Sequence, residues 1–235
     1  MRRLWVALAA TVLLGLAGCA GTGTGTGSGT GAPPTSPGNG GPATGSPGSS
    51  GEPGGGGSTV DPVTQFRVRY GWDVPSRTVT VDNPVGIPQD PNAIPLPYLV
   101  EIRTGDHANE NPGYGRISFY FKGTFPGYRF EYTDKVLSEG QGAVVPLEGN
   151  AFLHLVFNPA QAHDNAGKST ITFAAPKRIG FSTLRSYGFA GDFEGYVAYG
   201  LGLQVKPGSD QALPIRISEL KRGDLFIVAV DIRSS

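Results

Sequence analysis

The stretch GDFEGY, residues 191 to 196, sets Asp192 and Glu194 two positions apart between glycines, with Phe193 and Tyr196 beside them. On a regular strand such residues share a face, with Cα atoms about 6 to 7 Å apart, a separation that glycosidases use for acid and nucleophile or base. Those enzymes take their carboxylates from separate elements that flank the sugar, whereas two neighbours on one edge approach it from one side. Gly191 and Gly195 also suggest a bulge or a close backbone approach. Three readings follow: a catalytic dyad, a contact for a glycan or cation, and a structural turn. Tyr199, three residues on, adds a ring that can stack on a sugar.

The other chemistry-bearing residues are sparse. His163 stands beside Asp164 in AHDNAG, His107 lies in the loop GDHANENPG, and His154 alternates with Phe152 and Val156. A zinc hydrolase needs three ligands brought together, and no HExxH-like spacing occurs, so no metal or other cofactor is expected. No GxSxG motif is present, and GLG at 200 to 202 is followed by no helix start, so neither a serine elbow nor a phosphate loop is read. Catalytic residues are expected to be none. The tyrosines divide between stacking faces and ordinary strand and core positions, with the core reading favoured for most.

The elements that must position these residues are strands. FRVRYGW, RTVTV, YLVEIRT, RISFYFK, YRFEYTD, AVVPLEG, FLHLVFN, FSTLRSYGF, FEGYVAYGLGLQ, IRISEL and LFIVAVDI are short runs with turn residues between them. In RISFYFK, Ile117, Phe119 and Phe121 alternate with Ser118, Tyr120 and Lys122, which is a period of two. No window shows a comparable 3.6 period. The fold class expected is all-β, a single sandwich-like or barrel-like domain of mostly antiparallel strands, with chain order alone unable to choose between them.

Before that domain the composition changes. Residues 1–18 begin with Arg2 and Arg3, continue through an apolar run from Leu4 to Leu16 and end in small residues, the pattern of a secretory signal. LAGC, ending at Cys19, matches the lipobox of bacterial lipoproteins, so Cys19, the only cysteine, is expected to carry the lipid and anchor the chain to the outer face of the membrane. From 19 to 59 the chain is almost wholly Gly, Thr, Ser, Pro and Ala, and reads as a disordered tether with a reach of roughly 35 Å. Residues 60–97, rich in proline, are expected to run extended across the surface of a β domain spanning 98–235. The 19 Lys and Arg balance 19 Asp and Glu, and no basic stripe argues for a nucleic-acid partner.

Four segments in fixed order, NPGYGRISFYFKGTFPGYRFEY, NAFLHLVFNPAQAHDNAG, AGDFEGYVAYGLGLQ and LFIVAVDI, make the stretch from Leu99 to Ile232 resemble the AMIN-like domain of actinobacterial secreted proteins and lipoproteins. The resemblance implies a small β-sandwich that targets peptidoglycan and is not itself catalytic, in an exported protein facing the cell wall. It also implies that Asp192, Glu194 and Tyr196 carry the family's acidic motif and that His163 and Asp164 carry its AHD. The chain departs from the pattern at Gly223 and Asp224, where members commonly show a proline and an arginine, so no role tied to that arginine carries over. The function expected is therefore a lipid-anchored envelope protein binding cell-wall glycan, peptidoglycan or a wall-associated protein partner. The alternatives are a carboxylate-dependent wall hydrolase, with Asp192 or Glu194 as base and His163 as acid, and an assembly or spacer subunit.

Overall fold

The computed structural model describes residues 61–86, 89–90, 92–208 and 212–234. The signal segment, Cys19 and the tether lie outside the described residues. Among the described residues eleven strands form, in order β1 (Val63–Asp73), β2 (Val79–Val81), β3 (Tyr98–His107), β4 (Tyr114–Lys122), β5 (Tyr128–Thr133), β6 (Ala151–Phe157), β7 (Phe173–Ala174), β8 (Leu184–Phe193), β9 (Tyr196–Leu203), β10 (Ile215–Arg222) and β11 (Leu225–Arg233). They make two sheets, ordered β1-β10-β11-β4-β3-β7 and β2-β5-β6-β9-β8. All pairings are antiparallel except the short one between β3 and β7. The sheets do not close on each other, which decides between the two expected architectures: the domain is a sandwich.

The alternation read in the sequence is the alternation that builds the core. Ile117, Phe119 and Phe121 of β4 are fully buried between the sheets, as are Leu153, Leu155 and Phe157 of β6 and Val197, Leu201 and Leu203 of β9. Phe119 packs on Phe157 and Tyr199 at ring-centre distances of 5.0 and 5.1 Å, and Phe121 meets Phe157 at 4.9 Å. Each such side chain contributes about 1.5–3 kcal/mol relative to exposure.

The proline-rich segment does more than cross the surface. β1 pairs along β10, and β2 pairs with β5, so residues before Tyr98 supply one edge strand to each sheet. A polar knot ties them together: the fully buried Glu219 carboxylate accepts from Arg67 at 2.5 Å and from Asn83 at 2.7 Å, and Tyr128 donates to it at 3.2 Å. A buried acid held this way is stable only with its partners in place.

The run AVVPLEG, expected as a strand, instead forms part of a strap from Lys135 to Asn150 that lies flat on the outer face of β8 and β9. Pro146 offers no backbone donor, and the strap makes only an isolated antiparallel bridge, Leu137 to Val144, and scattered bonds: Val145 N–H donates to the Val136 carbonyl at 2.9 Å and Glu139 N–H to the Ala190 carbonyl at 2.6 Å. Val136, Val145, Val156, Ala190 and Ala198 form a second small core beneath it. The strap can lie so close because the strand positions it covers are small. Gly188 stands opposite Gly200 and Ser186 opposite Gly202, and a Cβ at Gly202 would run into the Glu148 carbonyl oxygen. The GLG motif is thus a packing surface.

Gly202→Ala is expected to destabilise the domain by about 1–3 kcal/mol, lowering Tm by roughly 2–10 °C. Gly71→Ala, whose added carbon meets nothing within 4 Å, should leave Tm nearly unchanged; both are read by thermal denaturation. Glu219→Ala removes the acceptor from Arg67, Asn83 and Tyr128 and is expected to cost about 3 kcal/mol in chemical denaturation.

Candidate functional site

GDFEGY closes the β8–β9 hairpin. Glu194 and Gly195 are its two turn residues, with φ of 49° and 80°, the left-handed pair that a tight type I′ turn requires. Glu194 is exposed at the tip. Four residues before Glu194, the register passes from Phe189 opposite Tyr199 to Gly191 opposite Ala198, leaving Ala190 as a bulge. A bulge reverses the alternation, so Phe189 and Asp192 both turn to the inner face although their numbers differ by an odd count. Ala190 is buried on the opposite face under the strap. The two carboxylates therefore do not share a face: Asp192 points between the sheets and Glu194 into solvent.

Asp192 enters a pocket of about 440 Å³ where the sandwich opens between β8 and the β3–β7 edge. Ile102, Ile171, Ala174, Tyr187 and Phe189 line its apolar part. Its polar end is built from the loop after β6. Asp192 Oδ2 accepts from the Ala162 N–H at 3.1 Å and lies 2.6 Å from His163 Nδ1. A carboxylate can only accept there, so Nδ1 carries a proton, and in the neutral ring Nε2 is the acceptor nitrogen. Asp192 Oδ1 is enclosed and has no partner among the described residues.

Tyr199 forms the floor. Its ring is 2% exposed and packs on Phe119, and Phe189 meets it edge-on at 5.6 Å. Its hydroxyl donates to no described residue. Burial, with Tyr187 and Asp192 nearby, pushes its pKa well up, so the hydroxyl keeps its proton. Tyr187 differs, because its hydroxyl is taken by the Ala175 carbonyl.

Of the residues singled out in the sequence, the structure thus brings together His163, Asp192 and Tyr199. Glu194 lies outside the pocket lining, and so does Tyr196, which sits on the outer face of β9 with the Arg129 guanidinium 5.6 Å from its ring centre. Asp164, although next to His163, folds back on its own loop: its Oδ1 accepts from the Ala166 and Lys168 N–H groups, each at 2.9 Å. These bonds hold its carboxyl below the usual range.

Phe189, Ser169 and Lys177, which also line the pocket, carry no sequence signal beyond strand and loop composition. The other histidines lie elsewhere, His107 stacked on Tyr114 at 4.5 Å and His154 at 3.9 Å from Glu139. Among the described residues no group of three or more His, Cys, Asp or Glu is placed to hold a metal. Chemically, the pocket offers an imidazole of fixed orientation, a neutral phenol and an apolar wall. No hydroxyl or amine among the described residues is hydrogen-bonded to His163 Nε2.

The Asp164 loop should respond to acid. A carboxylate with a lowered folded pKa contributes its closure energy above its unfolded value, near 3.9, and loses it as the pH falls through the folded value. Hydrogen-exchange protection at Ala166 and Lys168 is therefore expected to fall between about pH 5 and pH 2, and Asp164→Asn should remove that pH dependence.

No curated protein and no solved structure shows significant similarity to the chain. The sequence profile of the AMIN-like domain matches residues 97–234, more than half of the chain and all strands from β3 onward. The chain belongs to the AMIN-like domain family, which makes its sandwich a cell-wall-related β domain of the extracytoplasmic envelope, of a kind that is typically non-catalytic.

Proposed function

We propose that this chain is a membrane-anchored envelope lipoprotein of the actinobacterial type whose sandwich binds cell-wall glycan or peptidoglycan without catalysing a reaction. The supporting observation is the pocket at the β7–β8 edge, whose largely apolar lining, with Ser169 and Lys177 among it, ends in the oriented His163–Asp192 pair. Few polar groups placed in a concave apolar site are what small-ligand recognition uses. Anchoring follows from the LAGC motif at Cys19, and the tether lets the domain reach into the wall layer. In this reading His163, Asp192 and Tyr199 form the binding site. Glu194 and Tyr196 make outer contacts at the hairpin tip, Asp164 holds the loop, and a wall-associated protein is the other partner class.

The 2.6 Å contact between His163 and Asp192 also favours a second reading, in which an oriented imidazole activates water in a wall hydrolase. The two readings separate in one assay. The chain from Ala20 onward, freed of lipid, is mixed with purified sacculi and pelleted, and the supernatant is tested for released fragments. Pelleting without release is expected, reduced about tenfold or more in apparent affinity by His163→Ala or Tyr199→Phe and little changed by Glu194→Gln. Fragment release abolished by His163→Ala would establish the hydrolase instead. Loss on Tyr196→Ala alone would move the contact surface to the hairpin tip, and no pelleting would leave the protein-partner class.

A further inference from the structure

We infer that the pocket at the β7–β8 edge recognises the acetamido group of an N-acetylated amino sugar, an assignment that rests on the wall-glycan reading and names its ligand chemistry. The polar end presents two groups of opposite character. In the neutral ring, with Nδ1–H donating to the Asp192 carboxylate at 2.6 Å, Nε2 is an acceptor without a partner among the described residues. Tyr199, 2% exposed, holds a hydroxyl that donates to no described residue, whereas a buried phenol ordinarily finds an acceptor. Asp192 Oδ1 is enclosed, so the acceptor offered to a ligand is Nε2 and the donor is the Tyr199 hydroxyl.

A secondary amide answers both: its N–H donates to Nε2 and its carbonyl accepts from Tyr199. A hydroxyl in its place can also donate and accept, but only from a single oxygen, whereas the amide carries its donor and its acceptor on separate atoms. The same pocket is lined by Ile102, Ile171 and Ala174, with Ser169 and Lys177, and its apolar part suits a methyl group. At the mouth, Phe189 is 45% exposed and gives a pyranose ring a stacking face. A volume of about 440 Å³ holds one sugar residue with its substituent. Together these features favour an acetylated hexosamine over a peptide amide, which brings no ring face to Phe189.

The test is calorimetric titration of the chain from Ala20 onward with N,N′-diacetylchitobiose, with its fully deacetylated counterpart, with cellobiose and with an N-acetylalanine amide. The acetylated disaccharide is expected to bind at least about tenfold more tightly than the other three. Tyr199→Phe, which keeps the ring on Phe119 and is expected to keep its Tm, should remove that preference. Phe189→Ala should weaken all three disaccharides, each of which carries a stacking face. Equal affinity for cellobiose, tighter binding of the alanine amide, or an unchanged preference in Tyr199→Phe overturns the inference. If sacculi pellet the protein but the acetylated disaccharide does not bind, the acetamido assignment falls and the wall-binding reading stands. If the disaccharide binds and sacculi do not, the assignment stands and the wall-binding reading falls.

Discussion

The contact of Phe119 with Phe157 and Tyr199 is the interaction on which the domain depends. It joins β4, at the middle of one sheet, to β6 and β9, at the middle of the other, with ring centres 5.0 and 5.1 Å apart. Sheets twist, so two stacked sheets match best at their centres and splay at their edges. Interlocked aromatic rings at the centre fix the separation there and leave the edges to be completed by other means. Tyr199 belongs to both regions, since the ring that packs on Phe119 also sets the phenol at the base of the pocket. Core and candidate site thus share a side chain, and the site inherits the rigidity of the core.

The two edges are completed in opposite ways. At the β1–β2 edge, Glu219 gathers Arg67, Asn83 and Tyr128, and the residues preceding β3 seal the sandwich. On the outer face of the larger sheet, Asp231 accepts from Arg116 at 2.6 and 3.0 Å and from Arg216 at 2.7 and 2.9 Å, with the Arg216 guanidinium over the Trp72 ring. At the β7–β8 edge there is no comparable knot. β7 has two residues and pairs with β3 alone, the loop carrying His163 folds across the gap, and the Asp192 carboxylate ties that loop to β8. The carboxylate is therefore a structural clasp and the wall of the pocket at once.

The glycines of β8 and β9 explain why the hairpin carries so little bulk on its outer face. With Gly188, Gly200 and Gly202 beneath it, the strap reaches backbone contact and buries a second small core. Glycine in a strand costs conformational entropy, and here the strap's packing offsets it. Because the strap also bonds the backbone at Ala190 through Glu139, it sits on the bulge that aims Asp192 inward.

What the sequence determined by itself was periodic and local. Alternation in RISFYFK, FLHLVFN and LFIVAVDI sorted inner from outer residues because one face of each strand must be dry, and the GDFEGY glycines marked an irregular, closely approached backbone. The order of the four motifs carries the likeness to the AMIN-like family. Tertiary structure decided the rest for reasons that act across the chain. AVVPLEG reads as a strand until the glycine face of β8 and β9 receives it as a strap. Asp192 and Glu194 read as a pair until a bulge and a left-handed turn, both set by pairing with β9, send them apart. His163 is joined to Asp192 across 29 residues of chain because the loop after β6 must cover the open edge. Nearest-neighbour spacing cannot encode such a meeting, since it exists only once two sheets have stacked.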